Sequence, residues 1–114
     1  MSHLSILPTV LRDAEGLAAS LAALGHAPEW GGQLEGFAGE TQAVELQFTL
    51  ASGERLGWTR HTDGSLALVG DLQRLSRSQT LQRLLGAITR RYAAEMALRE
   101  AASQLLGAQV RVAL

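Results

Sequence analysis

Cysteine is absent from the 114 residues, which removes disulfides, thiolate nucleophiles, iron–sulfur clusters and cysteine-bound zinc together. Lysine is absent as well: all ten basic residues are arginine. That usage suits bidentate pairing with carboxylate or phosphate, and an arginine-rich codon bias produces it equally well. Aromatic residues make up only 4% and prolines number two. No apolar run approaches the roughly 18 residues that cross a bilayer, and no basic, apolar, small-residue leader opens the chain. A cytoplasmic chain without membrane contact and without a cofactor is expected. What remains is 46% apolar and 18% charged with 12 glycines, a composition that packs into a core. At this length it forms a single domain over 1–114.

Net charge is −1, yet the charges are segregated. Up to Asp71 there are nine acids against three arginines; beyond it seven arginines face only Glu95 and Glu100. Arg74, Arg77, Arg83, Arg90 and Arg91 occupy a stretch without an acid. Early in a helix they oppose its dipole, so a compensating anion is expected: phosphate, or Glu29, Glu35, Glu40 or Glu45 within the fold or across a dimer. Few aromatics, an acidic first half and no known recognition module speak against nucleic acid.

Hydrophobic periodicity orders the elements. Leu4, Ile6 and Val10 alternate with polar residues up to a strand ended by Pro8. Asp13 stands at an N-cap position before the helical spacing of Ala14, Leu17, Ala18, Leu21 and Leu24, and Gly25 closes that helix. A glycine-rich run from His26 to Glu40 reads as an irregular, bulged strand. Val44, Leu46, Phe48 and Leu50 alternate cleanly with Glu45, Gln47 and Thr49, so one face packs and the other meets water. Arg55–His61 and Leu66–Val69 complete an antiparallel meander, joined by an Asp63-Gly64 pair of the kind that type I′ turns use. Leu81, Leu84, Leu85, Ile88, Tyr92 and Met96 then predict a helix that runs on through Leu105 and Leu106 to a stop at Gly107. Its length, roughly 40 Å, outruns a small sheet. Val110, Val112 and Leu114 alternate as a final strand.

Four segments in order, Met1-Ser2-His3-Leu4-Ser5, Gly36-Phe37-Ala38-Gly39-Glu40-Thr41-Gln42-Ala43, Leu68-Val69-Gly70-Asp71 and Ile88-Thr89-Arg90-Arg91-Tyr92-Ala93, resemble the hypothetical chloroplast reading frame thirty-five family. That family is also described as a domain of unknown function. The resemblance covers nearly the whole chain and implies a fold without a settled activity. Some bacterial relatives accompany ring-shaped ATPases, which implies a protein partner. Two features depart from the family: Leu72-Gln73 stand where it often carries tryptophans, and its final hairpin is missing.

His3, His26 and His61 lack metal-pair spacing, and no nucleophile elbow, Walker loop or dinucleotide fingerprint occurs. Asp71, closing a strand, is placed to cap the next turn, to pair with arginine, or to act as a general base with His61 or Arg91. Arg91 flanks the apolar stripe and is expected to pair with Asp71 or an acid of the first half. Tyr92 continues the stripe as a core aromatic. Phe37 sits in a glycine-flanked bulge. No catalytic or metal residue is assigned; candidate partner-binding or ligand-binding residues are Phe37, Asp71, Arg83, Arg90, Arg91 and Tyr92.

The expectation is an α+β, two-layer fold in the order β-α-β-β-β-β-α-β, a mostly antiparallel sheet with two helices on one face. The other face, with Glu45, Gln47, Thr49, Thr59 and His61, stays wet. An accessory or adaptor protein acting through protein contacts fits this pattern better than an enzyme. The alternatives are nucleic-acid or phosphoanion binding through the Arg74–Arg91 stretch and a small enzyme using Asp71. A homodimer is expected, with the final strand as an exposed pairing edge.

Overall fold

The computed structural model describes residues 3–113, and for Leu72 and residues 107–113 the backbone alone. It is α+β. Five antiparallel strands pair in the order β1 (Ser5–Pro8), β7 (Leu66–Gly70), β6 (Arg55–Arg60), β5 (Leu46–Thr49), β2 (Glu29–Trp30), and β3 (Gln33–Glu35) with β4 (Thr41–Ala43) forms a second, two-stranded sheet. Helices α1 (Ala14–Ala23) and α3 (Gln79–Ala113) accompany the large sheet, with a short α2 (Leu72–Arg77) between β7 and α3.

Alternation along the central strands sends every second side chain to the helices. Leu46, Phe48, Leu56, Trp58, Leu66 and Leu68 form one core with Leu11, Leu17, Leu21, Leu75 and Ile88, and Leu81, Leu84, Leu85 and Tyr92 close it from α3. The indole of Trp58 stacks on Phe48 at 5.8 Å. Asp13 caps α1 by accepting the Gly16 N–H at 3.0 Å. Gly25, at φ 89°, ends the helix, with the His26 N–H reaching back to the Leu21 carbonyl at 2.9 Å.

The opposite face of the sheet is not wet throughout, contrary to the alternation read from the sequence. The small sheet covers part of it, and Leu34, Val44 and Val69 are buried there with Leu4 against them. The cause is a break in the strand at Val44–Glu45, where Val44 donates to the Gly32 carbonyl, Glu45 to that of Trp58, and the Glu45 carbonyl accepts from Gly31. An extra residue reverses the phase of the pleat. Val44 therefore points away from the core of Leu46 and Phe48, while Glu45 turns toward Arg60 on the helix side. Gln47 is buried, donating to the Gly31 carbonyl at 2.8 Å and accepting from Arg55 at 3.2 Å. Only Thr49 and His61 of the five expected surface residues are exposed.

The β6–β7 turn is not type I′ either. Gly64 is at φ 87° and Asp63 is not in the positive region, and the Gly64 N–H returns to the His61 carbonyl at 3.0 Å. A three-residue loop, Thr62-Asp63-Gly64, ending in a left-handed glycine and closed by the His61–Ser65 bond results, and Ala51-Ser52-Gly53 repeats it between β5 and β6.

The helical region divides at Ser78, whose carbonyl and hydroxyl accept from Gln82 and Leu81 and start α3. Residues 109–113 continue α3 as helix, so the expected final strand is not formed; Leu114, like Met1 and Ser2, lies outside the described residues. Gly107 does not stop the helix. Among the described side chains none beyond Arg99 bonds to another element, and the backbone there closes its own helical bonds. No described helix is long and apolar enough to cross a membrane.

Candidate functional site

Two of the concavities beside the sheet carry polar groups on which a function could rest. The larger is an open groove of about 800 Å³ between the edge strand β2 and the start of α1, lined by Val10, Trp30, Tyr92 and Met96 among others. Val10 is 84% exposed and Trp30 57%. Its floor is polar, and Arg60, Glu45 and Asp13 there are paired, while Glu15 lines the groove as an exposed residue without an ion pair among the described residues. Arg60 donates from Nε to Glu45 at 3.2 Å, and from Nη1 to the carbonyls of Arg12 at 3.0 Å and Gly64 at 2.8 Å. The Glu45 hydrogen bond raises the Arg60 pKa further above its ordinary value, so this guanidinium stays charged. The Tyr92 hydroxyl accepts from the backbone N–H groups of Arg12 at 3.2 Å and Asp13 at 3.0 Å, which joins α3 to the start of α1. Asp13 Oδ2 lies 3.7 Å from Arg99, and Arg99 Nε 3.3 Å from Glu95. Apolar walls above the paired Arg60, Glu45 and Asp13 accept an apolar ligand without stranding those charges.

The second concavity, 480 Å³, is lined by Leu4, Gln33, Leu34, Glu35, Gly53, Glu54, Arg55 and Asp71. Its carboxylates outnumber its arginine, which disfavours phosphate there. Asp71 caps α2, accepting the Arg74 N–H at 3.2 Å. His61 sits at the other end of β7, about 17 Å away along a five-residue strand. Asp71 is thus not brought to His61.

Of the six candidate residues, Tyr92 alone lines the groove, and Asp71 lines the second cleft. Phe37 caps the turn between β3 and β4, its ring edge-on to His3 at 5.3 Å. Arg91 pairs with Glu95 one turn along its own helix at 3.8 Å, not with Asp71 or an acid of the first half, and its Nε is buried without a partner. Arg83 and Arg90 are exposed and make no ion pair among the described residues. The arginine stretch meets the first half only through Arg74, 3.0 Å from Glu54. Three of the four glutamates expected to answer it are engaged elsewhere: Glu29 with Arg55 at 3.9 Å, Glu45 with Arg60, and Glu40 as acceptor of the Leu4 N–H at 2.7 Å; Glu35 is exposed and meets none of the arginines among the described residues.

That last bond has a wider meaning, because three separate sequence segments meet there. Gly36 leaves room for the Glu40 carboxylate and Leu4, which a Cβ would approach to 2.4 and 2.8 Å, and Ser5 pairs with Gly70. A family model described as "Protein of unknown function (DUF1257)" matches residues 20–111. The chain belongs to that family. No curated protein and no solved structure matched it. Within this DUF1257 chain, residues 3–5, 36–43 and 68–71 form one structural unit around Leu4, and 88–93 lie apart on α3.

Sequence reasoning missed Val10, Trp30, Met96 and the Glu45–Arg60 pair. An exposed tryptophan in a short edge strand leaves one trace, Trp30 among glycines and acids in a run with little other apolar content. Glu45 was assigned to the wrong face because the bulge that turns it carries no glycine or proline marker.

Proposed function

We propose that this DUF1257 chain is an accessory protein that binds an apolar segment of a protein partner in the Val10–Trp30–Tyr92–Met96 groove. The supporting observation is the combination of exposed Val10 and Trp30 with a floor whose Arg60 and Glu45 are paired. Interface energy concentrates on a few residues, tryptophan and tyrosine prominent among them, that a partner buries near the centre of the contact. The resemblance to the chloroplast reading frame thirty-five family puts a ring-shaped ATPase first among the partners to test, in the cytoplasm.

A photo-crosslinking residue at Val10 should trap one partner in cells, and Trp30→Ala should abolish the adduct while leaving the circular dichroism spectrum unchanged. An adduct equally strong from a residue at Gln73, on the exposed face of α2, would show that the groove is not the docking site.

A second reading rests on the unpaired, exposed Arg83 and Arg90, one heptad apart on α3. Phosphoanion binding there would fall steeply with salt and vanish in the Arg83→Gln, Arg90→Gln double variant. Binding unaffected by either removes this reading.

A further inference from the structure

Helix α3 leaves the body of the protein after Arg99, the last residue joined to another element through its 3.7 Å pair with Asp13. Residues 97–106 are all exposed, Leu98 and Leu105 at 60% each. Along this helix two interleaved seven-residue series are apolar at every position but Arg91. One is Ala87, Ala94, Ala101 and Ala108; the other is Leu84, Arg91, Leu98, Leu105 and Val112. The steps between the series alternate four and three, the 3.5-residue period of a seam that keeps one face against a partner helix. Packing on the sheet uses Leu81, Leu84, Leu85, Ile88 and Tyr92, so the series shares Leu84 with the core and leaves it from Leu98 onward, where every described residue is exposed. The segment expected to carry self-association as a strand is helix, so pairing of copies through it would use a helix face.

We propose that the projecting half of α3 pairs antiparallel with the same segment of a second copy, giving a two-fold homodimer. One register sets Leu105 of each copy against Ala101 of the other. The large residue then meets an alanine, and the same patch serves both copies, as two-fold pairing requires. A parallel pair would set leucine on leucine, leave the alanine layers as voids, and bring Arg91 beside its counterpart on the seam. In the antiparallel register Arg91 falls outside the overlap, and the two globular bodies sit at opposite ends of it.

The area suffices. Leu98, Leu105 and the flanking Leu106 each leave on the order of 100 Å² in water. Doubled by symmetry and joined by the alanines and the stems of the polar residues alongside, this approaches the ~1,200 Å² at which specific interfaces begin. A dimer of moderate affinity follows, formed at micromolar concentration and lost on dilution. The inference is independent of the groove and of any reading of its partner.

Light scattering on the full chain should give a dimer mass at tens of micromolar and a monomer mass on dilution. Leu98→Gln with Leu105→Gln should be monomeric throughout, with unchanged helical content. Absence of cysteine allows single spin labels to read the direction. With Gln104→Cys the label-to-label distance should be short, on the order of 20 Å, and with Gln82→Cys about 60 Å or more. A monomer at all concentrations, a dimer that survives the double variant, or short distances from both labels would each overturn the proposal.

Discussion

Tyr92 holds two structural levels together with one oxygen atom. Its ring packs on the main core, and its hydroxyl accepts the N–H groups of Arg12 and Asp13, donors that precede α1 and have no helical carbonyl to use. Tyr92→Phe keeps the packing and orphans those donors. We expect a loss of about 1–2 kcal/mol in urea unfolding, whereas Tyr92→Ala adds a cavity and costs about 3–5 kcal/mol. Asp63 makes a comparable local economy in the β6–β7 loop. The Ser65 hydroxyl, and after it the Ser65 N–H, hold its carboxyl below the ordinary carboxylate range. A group with a depressed folded pKa stabilises at pH above its unfolded value, and the contribution fades as pH falls through the folded value. Ser65→Ala should therefore move the Asp63 titration upward in an NMR pH series and weaken the protein only above the ordinary carboxylate range; a titration left in place would show that the hydroxyl is not the cause.

Between elements, Gly57 decides whether the small sheet can close on the large one. A Cβ there would lie 2.8 Å from Val44 Cγ1, 3.1 Å from Leu34 Cδ1 and 3.2 Å from the Leu46 carbonyl oxygen. The last is backbone and cannot step aside. Gly57→Ala should cost about 1–3 kcal/mol and raise hydrogen exchange first in β3 and β4, with β6 and β7 less affected. What the sequence made legible follows the same division. Hydropathy period located α1, the meander and the sheet-facing stripe of α3, because those residues pack on one core and nothing competes with the pattern. It missed what depends on a second neighbour. Val44 looks like the start of the Leu46–Phe48 strand, and only the bonds to Gly32 and Trp58 show that the chain bulges between them. Val110 and Val112 alternate as a strand would, but their backbone is helical, and alternation by itself does not supply a strand with an edge to pair with. The groove was legible in one member, Tyr92, since Val10 and Trp30 come from loop and edge positions whose exposure no local pattern encodes.

At the scale of the molecule, the radius of gyration is 16.5 Å and the extents are 63 × 28 × 20 Å, against about 13 Å for a compact chain of this length. The excess lies in the free end of α3, which adds length without adding core. A helical segment without tertiary contacts is marginal in water, and the exposed Leu98 and Leu105 supply the face that a second copy would cover. Antiparallel overlap along roughly 30 Å of helix would put the two bodies at the far ends of an assembly about 95 Å long, from two lengths of 63 Å less the shared part. Small-angle scattering distinguishes this from other dimers by shape. The maximum dimension should rise from near 63 Å in dilute solution to about 95 Å as concentration increases, and the Leu98→Gln, Leu105→Gln variant should stay at the lower value throughout. Dimers formed side by side along the sheet would double the mass with little gain in length, and a concentration series showing that behaviour would place the contact on the body and leave the projecting helix unpaired.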